Sequence, residues 1–270
     1  MPIIAMTKEM GSLGTFIGIE AARRLGFEFL RNDLIRAAAR EYRVLEARLV
    51  GAVEEPPRWL ERLGPARRRY RAYLEAAVLD AALQEHVLLM GRWSTIFLHG
   101  IRHAIRVRVC APPRVRAQRV MERFGIDQED ALGRIAAYDE GVRARMRQIF
   151  DLDWTDPLLY DLVINTEAVS LETGVRQVLT LVEAPEFQPT PESRADLRDR
   201  AVGARVRATL KATATTARVE LDIRVADGAV RLEGVVESEE EREAALTVAR
   251  NVRGVVGVSG DVKVFRRPIR

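Results

Sequence analysis

Cysteine, histidine and lysine are scarce in this chain of 270 residues, which contains one cysteine, three histidines and three lysines. A single cysteine excludes an internal disulfide and a cluster of thiolate ligands. Cys110 lies in an apolar run, which predicts a buried structural thiol. His86, His99 and His103 do not have the spacing of a metal motif. We therefore expect no metal site built from the protein's own ligands.

Long hydrophobic runs and an excess of one charge are also missing. No segment approaches the roughly 20 apolar residues that a membrane span requires, and the N-terminus lacks the basic and apolar regions of a signal peptide. The net charge of +4 is too small to indicate nucleic-acid binding. We therefore expect a cytoplasmic protein with no transmembrane segment and no nucleic-acid partner.

A proline-rich segment divides the chain. Three prolines occur between positions 185 and 191, and proline cannot continue a helix or a central strand. We predict a linker at residues 184–193. It would separate a domain of residues 1–183 from a smaller one of residues 194–266.

Short apolar runs alternate with helical patterns in the first part. The runs indicate buried strands at residues 3–6, 87–91, 105–111 and 162–164. The helical patterns are at residues 15–25, 33–42, 66–84, 114–124, 128–150 and 171–182. This alternation is typical of an α/β fold with a parallel sheet flanked by helices, in which ligands bind at the carboxyl ends of the strands. The loops that follow the predicted strands are therefore candidate binding sites.

The second part has a different order of elements. Residues 196–212 show a helical pattern, and residues 218–225 and 229–236 alternate as strands do. Asp227-Gly228 separates these strands and is a strong hairpin signal. Ser238 is a helix N-cap, and a last alternating strand follows at residues 261–265. The prediction is a small α+β domain of α-β-β-α-β order without a visible catalytic cluster.

The most informative local feature is the loop of residues 7–15, between the first strand and the first helix. Peptide N–H groups at a helix N-terminus suit phosphate oxygens, and Gly11 and Gly14 allow close backbone approach. Ser12 and Thr15 offer hydroxyl groups to a phosphate or to Mg²⁺. The loop is not a standard P-loop, because no lysine follows Gly14. A tight structural turn is the alternative interpretation.

Lys8 is the only lysine in the first 210 residues. If a lysine of this part contacts the β- or γ-phosphate of a nucleotide, it is therefore Lys8. Otherwise an arginine takes that role. The alternative for Lys8 is a solvated loop residue.

Four segments together resemble the cytidylate kinase-like family: residues 7–14, 25–33, 90–92 and 160–165. The resemblance covers the first part and implies a P-loop nucleoside-monophosphate kinase fold with a core, an NMP-binding insertion and a mobile lid. It implies transfer of phosphate from ATP, with Mg²⁺, to CMP, dCMP or a related acceptor.

The resemblance also implies roles for individual residues. The donor phosphates would be bound by Lys8, Gly11, Ser12, Gly14 and Thr15. The acceptor nucleotide would be bound by Arg31, Asp33 and Arg92. Arg92 would also take part in catalysis. The next residue is tryptophan, where these kinases have an acidic residue.

Arginines in the lid region are further candidates for catalysis. Arg143 and Arg147 are four positions apart and share one face of a helix. Guanidinium groups fork onto phosphate oxygens and offset charge in phosphoryl transfer. By the resemblance, Arg143 and Arg147 would close over the transferring group. The alternative is a solvated basic face paired with Asp139 and Glu140.

Residues 196–265 resemble a BON domain, which implies binding to phospholipid surfaces or to other macromolecules. Two functional hypotheses follow. The first is a nucleoside-monophosphate kinase. The second is a catalytically weak or inactive nucleotide-binding regulatory module, whose BON-like domain binds a protein partner or a phospholipid surface.

Overall fold

A parallel sheet forms the centre of the N-terminal part. The computed structural model describes residues 1–31, 33–54 and 65–265. The larger sheet has the strand order β2-β3-β1-β4-β5, and the strands are β1 (Ile3–Lys8), β2 (Glu28–Leu30), β3 (Val87–Met90), β4 (Ala104–Cys110) and β5 (Leu162–Asn165). All neighbouring strands in it run parallel. Within β1, Ile3 and Ala5 pack on one face of the sheet, and Ile4 and Met6 pack on the other.

Helices cover both faces of this sheet, which confirms the predicted α/β fold. They are α1 (Gly14–Leu25), α2 (Asp33–Glu41), α3 (Glu46–Glu54), α4 (Pro65–Ala82), α5 (Arg92–Phe97), α6 (Pro113–Phe124), α7 (Gln128–Phe150) and α8 (Leu171–Glu183). One face is packed by α1 and α8, and the other by α2, α4 and α5. Within the described ranges, no helix combines the length and the apolar character needed to cross a membrane.

Three elements of this part were absent from the sequence-based prediction. They are β2, α3 and α5, which have three, nine and six residues. Helical periodicity is clearest over about 11 residues or more, and a buried strand is indicated by an apolar run of about four to eight. α3 and α5 are shorter than the first length and β2 is shorter than the second, so their hydrophobic signal is weak.

The C-terminal part has the predicted α-β-β-α-β order. It consists of α9 (Pro191–Ala212), β6 (Leu221–Ala226), β7 (Ala229–Val236), α10 (Glu239–Arg250) and β8 (Gly257–Val264). The pair β6–β7 is antiparallel and β7–β8 is parallel. Asp227 and Gly228 both have positive φ, 48° and 77°, as the predicted tight hairpin requires.

Helix α9 begins inside the segment predicted as linker. Thr190 and Ser193 form a capping box, in which each side chain accepts a hydrogen bond from the backbone N–H of the other. Pro191 occupies the first helical position, where its missing N–H costs nothing and its fixed φ suits the helix. The same proline that rules out a helix interior therefore starts a helix here.

Cys110 ends β4 and is half-buried rather than fully buried. Its thiol donates to the carbonyl oxygen of Ile164 at 3.6 Å. Burial raises the pKa of the Cys110 thiol above its usual value. A raised pKa lowers the thiolate fraction, which agrees with a structural rather than a reactive cysteine.

Candidate functional site

The loop between β1 and α1 is held by hydrogen bonds to its carbonyl groups. Ser12 is fully buried, and its peptide N–H and hydroxyl donate to the carbonyl oxygen of Glu9 at 3.3 and 2.9 Å. Thr166 donates through Oγ1 to the Ser12 carbonyl at 3.0 Å, and Arg119 donates to the Gly11 carbonyl at 3.2 Å. The first N–H groups of a helix suit a phosphate, and in α1 these are the N–H groups of Gly14 and Thr15, since that of Phe16 already donates to the Leu13 carbonyl at 3.0 Å.

Two positions in the loop require glycine. Gly11 has φ of 77°, and a Cβ there would lie 2.8 Å from the carbonyl oxygen of Arg116 in α6. A Cβ on Gly14 would lie 2.5 Å from the Cβ of Lys8 and 3.0 Å from that of Val109. The distances of 2.8 Å at Gly11 and 2.5 Å at Gly14 leave no room for a Cβ. The loop therefore packs directly on β1, β4 and α6.

A cavity of about 540 Å³, named here the loop cavity, lies beside this loop. It is lined by loop residues 8–11 and 13–16 and by α6 residues 119, 120 and 122–124. Of the five residues that the resemblance assigns to the donor phosphates, Lys8, Gly11, Gly14 and Thr15 line it. Ser12 is not in its wall, because the Ser12 hydroxyl is used within the loop.

The loop cavity has an aromatic side chain at a position where a standard P-loop has a polar one. Thr15 and Phe16 follow Gly14, at the positions where a standard P-loop has lysine and then serine or threonine. The side chains of Phe16 and Phe124 both line the cavity, and each residue is 52% exposed. A phenyl ring has no oxygen or nitrogen with which to bind Mg²⁺ or donate to a phosphate.

A second cavity of about 350 Å³, named here the Arg31 cavity, lies at the carboxyl ends of β1 and β3. Its apolar wall comes from α2, α4 and the end of β3 and consists of Leu34, Ile35, Leu74, Val78 and Met90. Lys8 and Arg31 are its charged lining residues, and no carboxylate occurs among the described residues of its wall. The cavity thus combines positive charge with an apolar surface.

Lys8 and Met10 line both cavities. The Lys8 ammonium lies 5.6 Å from the centre of the Tyr138 ring, within the range of a cation–π contact. Tyr138 belongs to α7 and also lines the Arg31 cavity. A cation thus lies on the boundary between the two cavities.

Arg31 and Asp33 are separated by the structure despite their proximity in sequence. Arg31 lines the Arg31 cavity, whereas Asp33 lines a different cavity, between β2, α2, α4 and the C-terminal part. The Asp33 carboxylate pairs with Arg36 and accepts from the Arg31 peptide N–H at 3.3 Å. The hydrogen bond from Arg36 lowers the pKa of the Asp33 carboxyl. In this arrangement Asp33 shapes the start of α2.

Arg92 is the first residue of α5, and its side chain lies outside the described part of the structure. The neighbouring Trp93 lines the Arg31 cavity. Its ring packs against Phe97 and Phe150, at centroid distances of 5.9 and 5.0 Å. Trp93 therefore supplies an apolar wall at the position where the resemblance implies an acidic residue.

The candidate arginines of α7 lie apart from both cavities. Arg143 pairs with Glu140 at 2.7 Å, and Arg147 is exposed in the last turn of the helix. Arg145, between them, is 3% exposed. Among the described residues of the two cavity walls, α7 contributes Tyr138. The proposed closure of Arg143 and Arg147 over a phosphoryl group therefore remains a prediction.

A buried ion network that the sequence did not reveal lies under the loop. Glu9 is 8% exposed and accepts from Arg108 Nη2 at 2.6 Å and from the Ala111 peptide N–H at 3.2 Å. Arg116 Nε lies 3.5 Å from the same carboxylate. Arg116 also donates to Asp139 of α7 at 2.7 and 3.1 Å. The loop, β4, α6 and α7 are thus joined through four charged side chains.

No cluster of three or more potential metal-binding side chains occurs among the described residues. A Mg²⁺ ion that arrives with a nucleotide needs few protein ligands, since phosphate oxygens and water supply most of its coordination. The Glu9 carboxylate is bound by Arg108 and Ala111, and Glu122 Oε1 accepts from Gln118 at 3.2 Å, so the Thr15 hydroxyl and Glu122 Oε2 are the side-chain oxygens of the loop cavity that remain for this role. The site therefore fits a nucleotide-borne Mg²⁺.

Residues 3–168 match the model of the cytidylate kinase-like family. The chain belongs to that family. Residues 198–264 match the BON domain. Both resemblances seen in the sequence are thereby confirmed.

Two cytidylate kinases are among the curated relatives of this cytidylate kinase-like chain. It is 32% identical over 104 residues to a cytidylate kinase of Methanocaldococcus jannaschii, a match that covers 38% of this chain and 58% of that protein. It is 26% identical over 203 residues to a cytidylate kinase of Thermococcus kodakarensis, with 74% of this chain and 97% of that protein covered. For the first of these relatives the chain spans less than two-thirds of the relative's length.

A solved structure supports the fold. An uncharacterized protein from Eubacterium ventriosum superimposes with a TM-score of 0.54 at 18% identity, over 68% of this chain and 99% of that one. At this identity the likeness concerns the fold alone.

Proposed function

We propose that this cytidylate kinase-like chain is a phosphotransferase that moves a phosphoryl group from ATP to a nucleoside monophosphate. The observation that carries the proposal is the pair of adjacent cavities that share Lys8 and Met10. The donor would occupy the loop cavity, and the acceptor would occupy the Arg31 cavity. CMP or dCMP is the acceptor that the family suggests.

Phosphoryl transfer depends mainly on positioning and charge stabilisation. In the proposed mechanism the first N–H groups of α1 bind donor phosphates, and Arg31 binds the phosphate of the acceptor. Lys8, on the boundary between the cavities, offsets negative charge on the transferring group. Mg²⁺ bound with ATP would supply further charge neutralisation, with Thr15 and Glu122 beside it. Arg92 and the arginines of α7 would complete the site on closure.

The second candidate function is a regulatory module that binds a nucleotide but does not transfer its phosphoryl group. The observation that favours it is the Gly14-Thr15-Phe16 segment, in which the lysine and hydroxyl residue of a standard P-loop are replaced. Such a loop retains its backbone N–H groups and therefore its capacity for phosphate binding. The BON domain would then contact a protein partner or a phospholipid surface.

The charges on the outer face of the BON domain sheet favour a protein partner. Arg224 pairs with Asp222 at 3.0 Å, and Arg231 pairs with Glu233 at 2.5 Å. Basic side chains already paired with acidic neighbours add little attraction for an anionic membrane. Flotation of the full chain with anionic vesicles would instead support a phospholipid surface.

The test of the proposed function is ADP release from ATP·Mg²⁺ across a panel of nucleoside monophosphates, with binding of ATP·Mg²⁺ measured in parallel by calorimetry. Lys8→Met should lower turnover about 100-fold. Arg31→Ala should mainly raise the KM of the acceptor. Arg40→Ala is the matched control, because Arg40 is an exposed arginine of α2 and lines neither cavity.

Each outcome separates the two functions. Turnover that is lost in Lys8→Met and retained in Arg40→Ala supports the phosphotransferase. ATP binding without turnover on any acceptor supports the regulatory module. If the folded protein binds no nucleotide, both proposals are wrong.

A further inference from the structure

Helix α9 has two opposite apolar stripes. Leu197, Ala201, Ala204 and Ala208 belong to the hydrophobic core beside α4. Val202, Val206 and Leu210 belong to the core of the C-terminal sheet. At about 100° per residue, the centres of the two stripes lie about 170° apart on the helix. One helix thus completes two cores.

Helix α4 is likewise shared between two environments. Leu74 and Val78 line the Arg31 cavity. Glu75 and Asp80 form ion pairs with the C-terminal part. Because a helix moves as a rigid element, a displacement at the second surface changes the wall of the Arg31 cavity.

Charged contacts join these helices around Asp80. Arg205 of α9 donates to Asp80 at 2.7 Å, and Arg253, in the turn after α10, lies 3.3 Å from the same carboxylate. Arg207 of α9 lies 3.3 Å from Glu75. The Arg205 side chain is only 13% exposed, so its pair with Asp80 is screened less than a surface pair.

The loop cavity lacks this connection. Its described lining residues come from the β1–α1 loop, the start of α1 and α6, and α4 contributes none of them. A change at the contact between α4 and α9 should therefore affect the Arg31 cavity and leave the loop cavity unchanged.

We infer that the C-terminal unit (residues 191–265) is a positioning element of the Arg31 cavity, with Asp80 and Arg205 as the positioning residues. The unit holds α4 in place and so sets the affinity of that cavity for its ligand, independently of the loop cavity. A partner that binds the unit would act on acceptor affinity rather than on donor affinity. The assignment of acceptor and donor rests on the proposed function, whereas the mechanical link does not.

The test uses the full chain with Asp80→Ala, Arg205→Ala and Asp80→Asn, which keeps one acceptor oxygen for Arg205. Asp222→Ala is the matched control, because it removes an ion pair of 3.0 Å within the C-terminal sheet. Hydrogen exchange of residues 70–82 and of α1 is followed by mass spectrometry. The KM values for CMP and for ATP are measured on the same samples.

We expect exchange in residues 70–82 to rise about ten-fold in Asp80→Ala and Arg205→Ala, less in Asp80→Asn, and not in Asp222→Ala. Exchange in α1 should stay unchanged. The KM for CMP should rise about ten-fold while that for ATP stays constant. Unchanged exchange in residues 70–82, or an equal rise of both KM values, would overturn the inference. If the wild type has no turnover, the proposed function fails, and the exchange data still decide whether the unit holds α4.

Discussion

The buried carboxylate of Glu9 offers the sharpest test of what holds the candidate site together. We predict that Glu9→Ala lowers the free energy of unfolding by about 3–4 kcal/mol, because it leaves a buried arginine without its counter-charge. Arg108 would lose a hydrogen bond of 2.6 Å, and the Ala111 N–H would lose one of 3.2 Å. Arg116 would retain Asp139, which limits the loss.

The control for this prediction is Glu140→Ala, which removes a pair of similar length, 2.7 Å, whose Glu140 side chain is 68% exposed. Exposed pairs contribute about 0–1 kcal/mol. Both variants are compared by urea unfolding followed by circular dichroism, and Glu9→Gln should lie between them. If Glu9→Ala costs no more than Glu140→Ala, the network does not stabilise the loop and the reasoning is wrong. A Glu9→Met/Arg108→Met variant should lose less than Glu9→Ala, since no unpaired charge remains on Arg108.

Two further predictions concern the loop and the contact with the C-terminal unit. Gly14→Ala should weaken ATP·Mg²⁺ binding at least about ten-fold, because the added Cβ would lie 2.5 Å from the Cβ of Lys8. Gly133→Ala is the control, because the space around its added Cβ is open. Calorimetry measures the affinity of both variants for ATP·Mg²⁺, and equal affinities would contradict the packing argument. A hydrogen bond from Arg194 lowers the pKa of Glu85 to about 2 from 4.5, so the stability from this pair is present above pH 4.5 and is lost as the pH falls towards 2. Glu85→Gln should remove roughly 1 kcal/mol of that acid-dependent stability, a value reduced for solvent screening; parallel stability–pH profiles of variant and wild type would contradict this.

The sequence predicted the central strands of the N-terminal sheet because they are buried on both faces. In β1, residues 3–6 form an uninterrupted apolar run, and each of these side chains has no exposed surface. The strands of the C-terminal part were predicted by alternation instead, and the hairpin between β6 and β7 by Asp227-Gly228. These signals lie within short stretches of sequence, so they can be recognised without knowledge of the tertiary structure.

The candidate site was predicted only as far as local signals reach. Glycines next to a strand end mark the loop, and Lys8 stands out because lysine is so scarce. The partner of Glu9, Arg108, is 99 positions away along the chain, and no pattern predicts that contact. The arginines of α7 show the same limit. Their spacing predicts that Arg143 and Arg147 share a helix face. It does not predict that Arg145, between them, is the buried arginine, because burial depends on contacts with other parts of the chain.

Helix α9 shows why composition alone cannot say what the C-terminal unit does. A sequence-based reading assigns residues 196–212 to the second part, since they follow the prolines. One stripe of the helix nevertheless lies in the core beside α4, and the other lies under the C-terminal sheet. The sequence pattern identifies the helix, but opposite stripes cancel in its hydrophobic periodicity, so the pattern does not show that the helix packs on two cores. A module joined only by a flexible linker would leave the kinase-like core complete without it. Here the core includes α9, and a BON domain built on that helix bears directly on the cavity proposed to hold the acceptor.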